Sequence, residues 1–255
     1  MGFEYRHAMS VAAHRGDCYN YYENTMQAFE ASIRAKCDMI ETDIHMTQDG
    51  HLILMHDDDT LRTTGVPGKI RDKTLEEMRS LNAGSPTLPA KVPTLEEFLA
   101  WAAPQDILIN LEIKEYYESG NEQRCRECVD KTIALVRKYG LEKRIVINSF
   151  DAWVLEYTDE AYNHEFPLHG FYPYGHMRHV TRNPDEYLYC ACIFANMHDR
   201  ANFDYLIERG IEPWIGAGCT SKDVLAAAFK NGAKLITSNY PADAIAKLAE
   251  IGARA

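Results

Sequence analysis

An eight-stranded (β/α)8 TIM barrel is the fold class this sequence predicts, and three observations predict it. Short apolar runs alternate with amphipathic stretches from one end of the chain to the other. Eight such pairs fit into 255 residues, a usual length for a barrel of this kind. The polar residues that stand out fall at the C-terminal ends of consecutive apolar runs, where such barrels gather their chemistry. The chain reads as one domain over 1–255, with a short extra hairpin and a small insertion, 57–105, between the second and third strands.

Each element has its own warrant. The first strand is expected at 9–13. A helix follows with Asn24 as N-cap, Gln27 at the capping-box position and Met26, Phe29 and Ile33 as its apolar stripe. The second strand covers 39–44. Gln48-Asp49-Gly50 is turn chemistry, and 52–55 returns as a strand outside the barrel. The insertion holds two helical pieces, capped by Thr74 and Thr94, with a loop at 83–89 between them. The third strand is 107–113, followed by a helix over 122–139 that Gly140 closes. The fourth strand is 145–147, with Asp151 opening the next helix. Strands five to eight are expected at 168–172, 191–195, 211–215 and 234–237, with helices at 202–209 and 221–230 and Pro241 opening the last. Residues 172–189, which include Pro173, Gly175 and Pro184, carry no assignable pattern.

Composition narrows the function classes. A hydrophobic share of 46% supports one large core. The formal charge of −11, without basic clusters, argues against nucleic acid as a partner but not against a phosphate substrate, because a local cation overrides the global field. No apolar run approaches the roughly 18–20 residues of a membrane span, and residues 1–9 lack the apolar centre of a signal peptide. Seven cysteines without disulfide-like spacing fit the cytoplasm. Cys125 and Cys128 form a C-x-x-C inside a charged helical stretch without partner ligands, and Cys190 and Cys192 alternate along a strand as small core residues.

Glu41 and Asp43 stand two apart on the second strand, so both carboxylates project to one face. Two hard oxygen ligands suit Mg²⁺ or Ca²⁺ rather than a thiolate-seeking metal, although such a pair taken alone also describes a solvated strand face. The returning hairpin delivers His56-Asp57 toward them. The first strand ends in His14-Arg15-Gly16, soon followed by Glu23-Asn24-Thr25, and the third ends with Glu112 and Lys114 on one face.

These four pieces in order, His-Arg-Gly, Glu-Asn-Thr, Glu-x-Asp and His-Asp, resemble the glycerophosphodiester phosphodiesterase family. The resemblance implies metal-assisted hydrolysis of a glycerophosphodiester to glycerol 3-phosphate and an alcohol. Glu41, Asp43 and Glu112 would hold one divalent cation, Mg²⁺ or Ca²⁺, and Arg15 and Lys114 would bind the phosphate. His14 and His56 would be the acid–base pair, in an order the sequence leaves open. Phe150 and Trp214 match positions that line the family's pocket. Three departures stand out: Tyr22 where the family commonly has proline, Gly216-Ala217 where an asparagine follows the tryptophan, and Asn239 where the last strand usually supplies aspartate. They leave the alcohol specificity open. Two other readings compete, a sphingomyelinase D-like enzyme forming a cyclic phosphate and a non-catalytic binding barrel that keeps the fold.

Overall fold

In the computed structural model, which describes residues 2–118 and 120–254, strands and helices alternate from Ser10 onward. The strands are β1 (Ser10–His14), β2 (Met39–Met46), β3 (Leu52–Leu54), β4 (Leu108–Ile113), β5 (Ile145–Asn148), β6 (Leu168–Tyr172), β7 (Cys190–Ile193), β8 (Glu212–Ile215) and β9 (Leu235–Ser238). The helices are α1 (Met26–Arg34), α2 (Leu61–Thr64), α3 (Leu75–Ser80), α4 (Leu95–Ala102), α5 (Glu122–Lys138), α6 (Ala152–Ala161), α7 (Arg200–Glu208), α8 (Lys222–Lys230) and α9 (Pro241–Glu250). Eight parallel strands close a ring in the order β1-β2-β4-β5-β6-β7-β8-β9, because β1 pairs with both β2 and β9. The antiparallel β3 hangs on the far end of β2 through Ile44, His45 and Met46, which lengthens β2 beyond the expected 44.

Register carries the site. His14 pairs opposite Glu41, Asp43 opposite Glu112, and Glu112 opposite Asn148, so strand pairing alone brings these side chains to one level at the mouth. Below them the interior is closed by Ala12, Met39, Val146, Cys190, Trp214 and Leu235. The outward face of the strands packs on the helices in a second, larger core that includes Val11, Ile40, Ile109 and Ile147. At the floor, Tyr5 and Tyr189 each donate to the Glu212 carboxylate at 2.6 Å, and Trp214 Nε1 donates to it at 3.3 Å.

The structure differs from the sequence expectation at several places. Thr25, not Asn24, caps α1, its hydroxyl accepting from Ala28 N. Asn24 adopts a left-handed φ of 54°, a conformation asparagine tolerates, and its side chain serves the mouth instead. Gln27 is therefore no capping-box partner, and its amide donates to Pro89 O. The inserted segment is also shorter than 57–105. Leu95, Phe98, Leu99 and Ala102 of α4 lie in the main core, with the Phe98 ring 4.5 Å from Phe29, so α4 is a barrel helix. What precedes it has its own small core of Ile53, Met55, Ile70, Met78, Ala83 and Val92. The unassigned stretch 172–189 forms short 3₁₀ turns at 174–176 and 184–186. It is tied down by Glu156, which accepts from Thr181 N and Arg182 N at 3.0 Å.

Both expected threonine caps on the insertion side are present, and each forms a full capping box, at Thr74–Glu77 and Thr94–Glu97. Thr94→Ala removes the hydroxyl that accepts from Glu97 N and is expected to cost about 1 kcal/mol in urea denaturation. A loss under a few tenths would mean that core packing alone holds α4.

Candidate active site

The mouth is built from the first three barrel strands and the hairpin. Glu41 and Asp43 sit on β2 and Glu112 on β4, all buried, with one oxygen of each within 4.8 Å of the others. Glu41 Oε1 and Asp43 Oδ1 are buried without a hydrogen-bond partner among the described residues. Orphaned carboxylate oxygens converging at this spacing fit a divalent cation, and an all-oxygen set fits Mg²⁺ or Ca²⁺. The remaining oxygens are oriented by neighbours. Arg15 N donates to Glu41 Oε2 at 2.9 Å, and Asn24 Nδ2 donates to Asp43 Oδ2 at 2.8 Å while Thr42 Oγ1 donates back to Asn24 at 2.7 Å.

The loop after β1 needs an unusual backbone to do this. Arg15 has φ 56° and Gly16 φ 77°, and a Cβ on Gly16 would stand 2.8 Å from Ala28, so glycine is demanded by both conformation and space. The turn brings the Arg15 guanidinium over the carboxylates, its Nε 3.5 Å from Asp43 Oδ2, without a hydrogen bond to that nitrogen. Lys114 donates to Glu112 and stands 3.2 Å from Asp43 Oδ1. Its ammonium lies 5.6 Å from the centre of the Phe150 ring, which stacks on Phe171.

The two histidines are held by different partners. His14 Nδ1 lies 2.5 Å from Asn239 Oδ1, at the end of β9, and its Nε2 is 3.9 Å from Glu41. His56 Nδ1 pairs with Asp57 Oδ1 at 2.7 Å. Asp57 is bound in turn by Arg62 Nε at 2.5 Å, and Arg62 forks onto Glu23 at 2.6 and 3.0 Å. Glu23 also receives Arg15 at 3.3 Å, so one chain of ion pairs joins Arg15 to His56.

Charge in so small a volume moves every titration. Burial, reinforced by the Asp43 and Glu112 charges, pushes Glu41 well above the carboxylate range. Burial also raises Glu112, against the pull of Lys114. Asp43 is buried too, yet Lys114 and Arg15 outweigh desolvation and hold it low. Burial and then the Arg15 charge bring His14 down to about 4, and burial lowers His56. The Arg62 hydrogen bond, with His56 adding to it, takes Asp57 to about 2.

Eight of the nine sequence-singled residues gather here: His14, Arg15, Glu41, Asp43, His56, Glu112 and Lys114 around the carboxylates, with Phe150 on the wall beside Lys114. Trp214 does not. It is wholly buried inside the barrel, its ring 4.8 Å from His169 and its indole N–H committed to Glu212, because β8 continues one residue past it before the chain turns. His198, which follows β7, contacts Ile193 O and Cys219 instead of the carboxylates. Sequence reasoning gave no site role to Asn24, Arg62 or Asn239. Asn239 carried a positional signal, its place directly after the last strand, and Asn24 lay within the Glu-Asn-Thr motif.

Fold and site together define a (β/α)8 barrel with three converging buried carboxylates that could hold a cation and flanking histidines at its mouth. The chain belongs to the glycerophosphoryl diester phosphodiesterase family, whose sequence profile matches residues 14–201. It is 37% identical over 151 residues to a glycerophosphodiester phosphodiesterase of Caldanaerobacter subterraneus, covering 57% of this chain and 59% of that protein. In this relative and in two others, 35% and 34% identical, the match spans just under three fifths of the relative's own length. The fold matches a putative glycerophosphoryl diester phosphodiesterase from Silicibacter pomeroyi (TM-score 0.83, 20% identity, 98% of this chain and 96% of that one). It also matches an Oleispira antarctica phosphodiesterase in complex with the product sn-glycerol-3-phosphate (TM-score 0.82, 19% identity, 94% and 96%).

The raised carboxylates predict a proton-linked cation affinity. Burial lets Glu41 and Glu112 hold protons above the ordinary carboxylate range, and a bound cation would displace them, so affinity should rise as pH rises above that range. The stability from their raised folded pKa values is present at low pH and lost as pH rises through those values, so the gain in Tm on adding Mg²⁺ or Ca²⁺ should widen in the same direction. Calorimetry in two buffers of different ionisation enthalpy should show proton release; none would contradict the assignment.

Proposed function

We propose that the protein hydrolyses glycerophosphodiesters to glycerol 3-phosphate and an alcohol, using one divalent cation, Mg²⁺ or Ca²⁺, held by Glu41, Asp43 and Glu112. The observation that carries this reading is the group of buried, orphaned carboxylate oxygens flanked by two cationic side chains and two histidines. The product bound to the Oleispira antarctica phosphodiesterase, and the name of the Caldanaerobacter subterraneus relative, support the substrate class.

When bound, the cation neutralises charge that grows on the phosphoryl oxygens. Every other task falls to side chains. Arg15 Nε, buried and without a hydrogen-bond partner among the described residues, donates to a non-bridging oxygen, and Lys114 contributes a point charge. His14 donates its Nδ1–H to Asn239 Oδ1, which leaves the Nε2 lone pair turned to the site. That tautomer suits the general base, which takes the proton of the attacking oxygen. The Asp57 carboxylate on His56 Nδ1 works against the burial that lowers this histidine, and a ring held by a carboxylate suits the general acid that protonates the leaving alkoxide. Phe150 offers an apolar wall to the substrate's carbon skeleton. Residues 1–255 act as one unit, and seven free cysteines favour the cytoplasm.

Release of glycerol 3-phosphate from a panel of diesters, with and without chelator, tests the reading. Turnover should stop on chelation and return with Mg²⁺ or Ca²⁺; full activity after exhaustive chelation would sink it. His56→Ala should lower kcat by roughly 10²–10⁴. Arg15→Lys should also be costly, since an ammonium cannot replace the guanidinium fork; wild-type kinetics for that variant would refute the role of Arg15.

A further inference from the structure

A cleft of about 550 Å³ opens beside the carboxylates and shares His56 and Lys114 with them. Its other walls come from the inserted segment, the loop after β4 and the stretch after β6, and include Arg71, Tyr116, Glu118 and Arg178. In the reading above His56 protonates the leaving alkoxide, so the alcohol portion of the substrate points into this cleft.

Most charges on these walls are already spent on neighbours. Asp57 is bound by Arg62, Asp58 by Lys69 at 2.8 Å, and Glu115 by Arg124 at 2.8 Å and Met46 N at 2.9 Å. Lys114 is held by Glu112 and Asp43. Arg71 and Arg178 form no ion pair with any described residue, and of the carboxylates that line the cleft only the exposed Glu118 is likewise without an ion pair among the described residues. Both arginines rise from fixed backbone. Arg71 follows Ile70, which is 1% exposed and whose N–H donates to Asp58 O at 2.9 Å. Arg178 N donates to Phe150 O at 2.7 Å, and Arg178 O accepts from Ala152 N at 2.9 Å. The Arg178 guanidinium covers the Tyr116 ring at 4.9 Å.

This composition disfavours a cationic head group. The one aromatic face in the cleft is already occupied by a guanidinium, and the carboxylates that would greet a quaternary ammonium are nearly all paired. We propose that the cleft selects diesters whose alcohol carries a second anionic group, a carboxylate or a phosphate, with Arg71 and Arg178 as the residues that determine this specificity. The proposal rests on the phosphodiesterase reading and adds the class of alcohol. Planar guanidinium groups receive both kinds of anion through paired charge-assisted hydrogen bonds.

Glycerophosphoserine and glycerophosphoethanolamine differ by one carboxylate, and glycerophosphoinositol 4-phosphate supplies the phosphate arm. With Mg²⁺ or Ca²⁺ in excess, kcat/KM for glycerophosphoserine should exceed that for glycerophosphoethanolamine by about tenfold or more, mainly through KM. A larger preference for the inositol phosphate diester would identify phosphate as the better fitted anion. The double variant Arg71→Met/Arg178→Met should bring the serine-to-ethanolamine ratio toward one, and Arg178→Lys should keep part of it. A wild-type ratio of one or less, or an unchanged ratio in the double variant, overturns the proposal. Calorimetric titration with O-phosphoserine and phosphoethanolamine reads the same discrimination without turnover. Tighter binding of O-phosphoserine by wild type, lost in the double variant, supports the cleft even if no diester is hydrolysed, in which case only the phosphodiesterase reading fails. Equal affinities overturn it.

Discussion

Three buried carboxylates within 4.8 Å of one another are the constraint to which the rest of the mouth responds. Like charges at this distance, away from water, repel strongly and hold protons unless cations and donors surround them. The chain supplies both. Arg15 and Lys114 bring charge, and the Arg15 backbone N–H and the Asn24 amide bring hydrogen bonds. The left-handed turn at Arg15 and Gly16 follows from the same need. It places a backbone N–H and a guanidinium from adjacent positions onto two different carboxylates. Glu41 Oε1 still accepts no hydrogen bond and Asp43 Oδ1 meets only the Lys114 charge, and a protein interior rarely leaves such atoms without a donor.

The second organising device is the ion-pair chain from Arg15 through Glu23, Arg62 and Asp57 to His56. It crosses between the loop after β1 and the inserted segment, whose own small core is separate from that of the barrel. Orientation of His56 thus depends on where the insertion sits, whereas orientation of His14 depends on the barrel itself through Asn239. Arg62 is half exposed, so salt weakens this link more than it weakens the buried contacts of Lys114.

The first half of the site was legible because its residues obey strand period and sit at strand ends. Glu41 and Asp43 were visible as a pair at spacing two, Glu112 and Lys114 likewise, and the register then placed them opposite one another. What escaped sequence reasoning were roles set by the third dimension. Asn24 looked like a helix cap, since asparagine is a good one, but Thr25 next to it took that task and released Asn24 to hold Asp43. Trp214 looked like a mouth residue from its motif, yet its level in the barrel depends on where β8 ends relative to its neighbours, which a lone strand does not reveal. The expected insertion is longer than the observed one because a capped amphipathic helix has the same sequence pattern whether it covers the barrel or belongs to its shell. The role of Arg62 lies in reaching Glu23, thirty-nine residues away, which no local pattern discloses.

The bond between His14 and Asn239 spans 225 positions along the chain and forms only when β9 docks beside β1. Contacts of such long range carry a larger loop-closure cost than local ones. The carboxylate face of the site rests on the neighbouring strands β2 and β4, whereas the aim of the His14 ring is set across the seam between the first and last strands. Any change that loosens the β1–β9 pairing would therefore turn the histidine away while leaving the carboxylates where they are.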